Sequence, residues 1–197
     1  MKLVSFGNIK LDKSVMIFNM GPASYCPTDA LGMCPLGHKH GDNSCYAYKA
    51  ERLYKQVLPY RERQRAFWCR ESAEEISARL LKWKRKSTKF FRFSEAGDFR
   101  TQQDVNKMTT VCNTLTREAR LKCYGYTARH DLNMSLLAES CTLIMSGGHE
   151  IENCSTSIVI AKHDDVPEGF YVCPGSSCMS KCFACWKRSN KIAFRRH

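Results

Sequence analysis

Apolar and polar positions along the chain follow two alternating periods. Short apolar runs bounded by glycine, proline and polar turns predict five strands: Lys13–Met20, Phe90–Ser94, Lys122–Thr127, Cys141–Met145 and Ser155–Ala161. Between them apolar residues recur at helical spacing. Tyr48, Leu53, Tyr54 and Val57 predict a helix over Tyr46–Tyr60 that Pro59 interrupts, and Phe67, Trp68, Ile76, Leu80, Leu81 and Trp83 predict one long helix over Arg61–Lys86. Val105, Met108, Val111, Cys112 and Leu115 share one face of a helix that Thr101 or Gln102 can start and that runs to about Arg117. Asp131 is placed to cap a short helix ending at Ser140.

Strands alternating with helices predict parallel β-α units, as a partial β/α (TIM-like) barrel or an open parallel sheet. Turn-forming and polar residues gather after each strand: a loop from Cys26 to Cys45, then Glu95–Asp98, Thr127–His130 and Ser146–His149. The carboxyl ends of parallel strands are where such folds bind ligands, so four loops are expected on one rim. Residues 1–170 are expected to form the β/α domain with its N-terminal cysteine loop. Residues 171–197 are read as a cysteine-rich, metal-binding and basic tail packed on that domain.

The composition sharpens this picture through its cysteines. Twelve occur in 197 residues. Met1–Gly7 lacks the apolar region of a signal peptide and no stretch is long enough for a membrane span, so a cytoplasmic location is expected, where clustered cysteines bind metal more often than they pair. Seven fall into two groups. Cys26, Cys34 and Cys45 lie in the first loop at spacing Cys-x7-Cys-x10-Cys, and Cys173 precedes Cys178-x3-Cys182-x2-Cys185 in the tail. The compact tail set suits a four-cysteine zinc or iron–sulfur site, and the loop set suits a four-iron cluster that leaves one iron open. One shared centre and two separate ones both satisfy the count. His38 and His40 lie between the loop cysteines and could complete a zinc site; surface or phosphate contact is the plainer role. Cys69, Cys112, Cys123, Cys141 and Cys154 fall on predicted helices and strands and are read as core.

Charge adds a partner class. Thirty-one Lys and Arg against nineteen Asp and Glu leave a formal charge of +12, which favours a polyanion such as nucleic acid. Lys84, Arg85 and Lys86 beside Trp83, and Lys187, Arg188, Arg195 and Arg196 around Phe194, interleave cations with aromatics as phosphate contact plus base stacking requires. On the rim, Glu95, Asp98, Arg129, His130 and His149 are candidates for proton transfer or ligand contact.

Cys26-Pro27, Cys45-Tyr46-Ala47, Arg92-Phe93, Gly97-Asp98-Phe99, Tyr124-Gly125-Tyr126-Thr127 and Cys173-Pro174 with Cys182-x2-Cys185-Trp186 together resemble a phage-borne family called gene product eighty-eight. That resemblance implies a cysteine-rich phage protein working in the host cytoplasm. The order of strand, three-cysteine loop, helix and second strand ending in Glu95-Ala96-Gly97-Asp98 is also similar to radical S-adenosylmethionine enzymes. The cysteine spacing here is wider than in those enzymes. By that resemblance Cys26, Cys34 and Cys45 would hold a 4Fe-4S cluster and Glu95 or Asp98 would meet the methionine part of S-adenosylmethionine. Arg129 and His149 are the further rim candidates for cofactor contact, and the tail would hold a second cluster or zinc.

Two functions follow from different classes. One is a phage-type iron–sulfur protein with a radical-enzyme-like fold acting on nucleic acid or a nucleotide-like substrate. The other is a non-enzymatic, zinc-stabilised protein that binds nucleic acid or a host protein.

Overall fold

The computed structural model describes residues 3–8, 10–39, 41–161, 166–175 and 190–196. One eight-stranded sheet organises them, in the order β1-β2-β3-β4-β5-β6-β8-β7. The strands are β1 (Ser5–Phe6), β2 (Val15–Phe18), β3 (Phe90–Phe93), β4 (Lys122–Thr127), β5 (Thr142–Ser146), β6 (Ser155–Ile160), β7 (Tyr171–Val172) and β8 (Lys191–Arg195). All neighbours pair parallel except β1, which runs antiparallel to β2. β1 and β7 form opposite edges, so the sheet is open rather than a closed barrel.

The five expected strands form, while β1, β7 and β8 lie outside the sequence expectation. A two-residue strand carries no readable period, and β8 sits in a basic tail. Strands β2 to β6 lie side by side in chain order. Right-handed crossovers between parallel strands laid down in one direction bring every connecting helix to the same face. Helices α3 (Val57–Arg70), α4 (Ala73–Trp83), α5 (Gln102–Ala119) and α6 (Ser135–Ser140) do this. Trp68, Ile76, Leu80, Met108, Leu115 and Leu137 pack on Met16, Phe18, Phe91, Phe93, Leu143 and Met145.

Alternate strand residues point the other way. Val15, Ile17, Tyr124, Ile144 and Ile192 make a smaller cluster there, joined by Leu11, Phe90, Tyr126, Cys173 and Phe194. Among the described residues no helix covers this second face.

The helical boundaries shift from expectation for local reasons. The first of the expected helices forms as α2 (Tyr46–Leu53), and Pro59 lies in the first turn of α3 instead of breaking a helix. A first-turn N–H has no intrahelical acceptor, so proline loses nothing there. The expected long helix ends at Arg70, and Ser72 restarts the chain by accepting a hydrogen bond from the Glu75 N–H at 3.2 Å. Of the two starts read from sequence, Thr101 is the cap of α5 and Gln102 its first residue. Asp131 does not cap α6; its carboxylate receives Arg129 Nε and Nη2, both at 2.7 Å. No described helix is long and apolar enough to cross a membrane.

Candidate functional site

All parallel strands end on one rim, and the loop from Cys26 to Cys45 lies across it. Its two ends are fastened together. The turn Ala23–Tyr25 precedes Cys26, and α2 begins directly after Cys45. Glu51 on α2 accepts from the Ala23 N–H at 2.6 Å and the Ser24 N–H at 3.0 Å. Arg61 on α3 completes the clamp, its Nη1 donating to Glu51 Oε1 at 2.9 Å and to the Ala47 carbonyl at 2.8 Å. Both charged residues are buried.

Inside the loop, α1 (Pro27–Ala30) carries Asp29, which accepts from the Lys39 N–H at 3.1 Å and pairs with His38. His38 stacks on Tyr48 with ring centroids 3.9 Å apart. Farther along, Pro35 lies against Gly147 after β5, and Asp42 meets Arg196 after β8. The loop therefore reaches from the first parallel strand to the last.

The Glu95–Asp98 turn packs beneath it. Ala96 N–H donates to the buried Asn19 Oδ1 at 3.0 Å. Gly97 takes a positive φ of 73° and lies so close to Gly21 that an added Cβ would come within 2.8 Å of its carbonyl oxygen. Only glycine allows both the left-handed backbone and this approach. Asp98 then points into the rim, where its carboxylate accepts from Phe99 N–H (2.8 Å), Thr127 Oγ1 (2.7 Å) and Ala128 N–H (2.9 Å). Burial raises its pKa to about 6 against those hydrogen bonds.

The loop's thiols lie around this turn, with Cys45 packed against the small cluster of Ala23, Ala47 and Ala96. Cys26 lies 3.0 Å from Thr28 Oγ1 and within electrostatic reach of Asp98. Cys34 is within reach of Cys45, Asp29 and Asp98. Burial pushes Cys26 up to about 12 and Cys34 up to about 11, with nearby negative groups adding to it, so both are protonated unless a cation joins them. Among the described residues, no three Cys, His, Asp or Glu side chains are gathered closely enough to hold a single metal ion. Thiolates sharing one zinc lie about 3.8 Å apart, given Zn–S bonds of about 2.3 Å and a tetrahedron. A four-iron cluster bonds each thiolate to a different iron and spreads its ligands more widely.

The other candidates divide. Glu95 accepts from Asn8 Nδ2 at 2.7 Å, and its carbonyl accepts from the Tyr46 hydroxyl at 2.9 Å. Arg129 is buried with its donors engaged by Asp131, by the Phe99 carbonyl (2.6 Å) and by the Arg100 carbonyl (3.0 Å), so it braces the β3 and β4 loops against each other. His149 stacks on His130 at 3.8 Å, and burial together with that neighbour lowers its pKa. Cys173 directly follows β7 and packs on the sheet's second face.

The basic patches do not adjoin. Lys84, Arg85 and Lys86 are exposed between α4 and the start of β3, at the opposite end of the strands from the rim, with Arg85 stacked over Phe6 at 4.1 Å. Arg195 and Arg196 end β8 at the rim itself. His40, Cys178, Cys182, Cys185, Lys187 and Arg188 lie outside the described residues.

Residues that sequence reading passed over are Glu51, Arg61, Asp29 and Arg92. The first three look like ordinary polar positions on helices. Arg92 did carry a signal: it is the single charge in the apolar strand Phe90-Phe91-Arg92-Phe93.

The family model described as Gene product 88 matches residues 2–159. The chain belongs to the Gene product 88 family. The match includes the whole cysteine loop, the Glu95–Asp98 turn and strands β1 to β5, while β8 and its rim residues Arg195 and Arg196 fall outside it. No curated protein and no solved structure matches the chain.

Proposed function

We propose that this Gene product 88 protein is an iron–sulfur protein with a radical-enzyme-like build, acting on a nucleic acid or nucleotide-like substrate at the strand-end rim. The observation that carries this reading is that Cys26 and Cys34 lie within electrostatic reach of Asp98 and Cys45 packs beside Ala96, above parallel strands that run in chain order. Helices packed on one face, with no described helix on the other, are what part of a β/α barrel presents. Cys26, Cys34 and Cys45 would hold the cluster, and the tail cysteines Cys173, Cys178, Cys182 and Cys185 a second cluster or zinc. A cluster held by three thiolates supplies one-electron chemistry and an open iron, the place for S-adenosylmethionine.

The chain's own residues set the surroundings. The Glu51–Arg61 clamp fixes both ends of the ligand loop, and Asp98 holds the β3 and β4 loops together while facing the thiols. Glu95 is the rim carboxylate with an oxygen open to a further partner, since only Oε1 bonds Asn8. The polyanion partner is supported by the formal charge of +12 and by Arg195 and Arg196 at the rim.

The test is anaerobic purification with iron, zinc and sulfide quantified and an optical spectrum recorded. Iron and sulfide in about equal amounts with a brown absorbance support the reading, and Cys26, Cys34 and Cys45 changed together to Ala should remove the loop's share of the iron. Colourless protein holding zinc alone refutes it in favour of a zinc-stabilised binding protein. With the cluster present, reductive cleavage of added S-adenosylmethionine tests the enzymatic part.

A further inference from the structure

Helices α2 and α3 are clamped to each other by Glu51 and Arg61, and their outer surface carries one sign of charge. Exposed there are Lys49, Arg52, Lys55, Arg63, Arg65 and Arg70, against a single exposed acid, Glu62. On α3 the helical period gathers Glu62, Arg63, Arg65, Ala66, Cys69 and Arg70 on one side, while Arg61, Gln64, Phe67 and Trp68 are buried on the other. On α2 the exposed Tyr46, Lys49 and Leu53 recur at the same period, with Arg52 beside them. Helix surfaces ordinarily pair their cations, as Arg79 does with Glu75 on α4 at 2.7 Å. Among the described residues only Arg70 of these six cations closes an ion pair, with Glu71 at 2.6 Å.

The same part of the chain concentrates exposed rings. Of the eight large apolar side chains exposed among the described residues, five are Tyr25, Leu31, Tyr46, Leu53 and Tyr54. Tyr25 is 53% exposed and Tyr54 55%, so both rings are open to a partner. The turn that holds Tyr25 joins the two helices. Its Ala23 and Ser24 N–H groups donate to Glu51 of α2, and the Tyr25 ring lies under Arg65 of α3, 5.4 Å from guanidinium carbon to ring centroid. Tyr25, Glu62, Arg65, Ala66 and Cys69 line a groove of about 350 Å³, and all five are exposed. Tyr25 precedes Cys26 and Tyr46 follows Cys45, so this surface starts at the cysteine loop. Exposed apolar groups set among unpaired like charges contribute nothing to folding and mark an interaction surface.

We propose that the outer surface of α2 and α3, with the Tyr25 groove, binds a single strand of nucleic acid and leads it to the cysteine loop. A single strand alternates phosphates with unpaired bases. The unpaired cations take the phosphates, and the open rings stack on the bases, which a duplex keeps covered. The inference rests on the nucleic-acid part of the reading above, to which it assigns a surface, and needs no cluster.

Fluorescence anisotropy of a labelled oligodeoxythymidylate, titrated with the purified protein, tests it, beside its duplex with oligodeoxyadenylate and with polyglutamate as competitor. Saturable binding is expected, tighter for the single strand than for the duplex. Arg52→Gln, Lys55→Gln and Arg63→Gln together remove three phosphate contacts, so the slope of log affinity against log salt should flatten by about 2. Tyr25→Leu should weaken binding roughly tenfold, and Tyr25→Phe, which keeps the ring, should not. These side chains are exposed, so the melting temperature should not move. No binding of the single strand overturns the proposal, as does equal affinity for the duplex or full displacement by polyglutamate, either of which would show that only charge is read. Binding that survives the α2 and α3 variants but is lost in Arg195→Ser with Arg196→Ser overturns it while leaving nucleic acid at the rim. Iron and sulfide measured in the same preparation score the cluster separately.

Discussion

The clamp that closes the cysteine loop makes a quantitative prediction. Glu51 receives three donors, two of them backbone N–H groups from the turn before Cys26 and the third from Arg61. The ion pair is almost wholly enclosed, with side-chain exposures of 7% for Arg61 and 2% for Glu51. Glu51→Ala leaves Arg61 as a buried cation with only the Ala47 carbonyl to bond, which costs about 3–5 kcal/mol. Such a loss is a large share of the roughly 5–15 kcal/mol that holds a domain folded. Glu51→Leu with Arg61→Met removes both charges at similar volume, leaving mainly the Ala23 N–H unsatisfied, so the pair should cost about 1–3 kcal/mol. The double variant is therefore more stable than the single one. Urea titration followed by Trp68 fluorescence reads the stabilities, since that ring is fully buried in the native state. The rate of Cys26 modification by a thiol reagent reads the loop, and Glu51→Ala should accelerate it at least tenfold. A Glu51→Ala protein within about 1 kcal/mol of wild type would refute the energetic argument. A destabilised protein whose Cys26 reacts no faster would show that the pair supports the core and not the loop.

Three further outcomes follow from the packing. Gly125→Ala places a Cβ 2.1 Å from the Phe93 ring on the neighbouring strand and should cost at least about 1–3 kcal/mol, much of it recovered by adding Phe93→Leu; an additive pair in urea melts would contradict this. Asp104 accepts from Trp68 Nε1 at 2.8 Å and from Arg100, and although burial opposes its charge, these partners hold its carboxyl below the usual range. Its contribution is therefore present above about pH 4 and lost as pH falls through the depressed native value, so the stability gap between wild type and Asp104→Asn should narrow on going from pH 7 to pH 3. Ser72→Ala removes the cap of α4 and should lower stability by about 1 kcal/mol without changing the urea m-value, as circular dichroism can measure.

By itself the sequence determined the strand run from β2 to β6, because each is a short apolar segment closed by turn residues, and with it the parallel α/β class and the shared rim. It also narrowed the start of α5 to Thr101 or Gln102 and marked Cys26, Cys34 and Cys45 as one loop's thiols, since helix starts and loops are written in a few adjacent residues. Tertiary structure alone decided where polar residues find partners. Glu51 and Ala23 are 28 residues apart, and nothing local distinguishes a clamped buried glutamate from a solvated one on α2. Asp98 and Arg129 are rim residues in the sequence; in the fold their hydrogen bonds brace neighbouring loops, because Thr127, Ala128 and Phe99 arrive beside them from separate strand ends. β8 exists only through its pairing with β6 and β7, and that pairing carries Arg195 and Arg196 to the rim while the Lys84–Lys86 patch stays at the far end of the strands. Periodicity fixes which residues face a common side; which distant groups meet there depends on the order of strands in space.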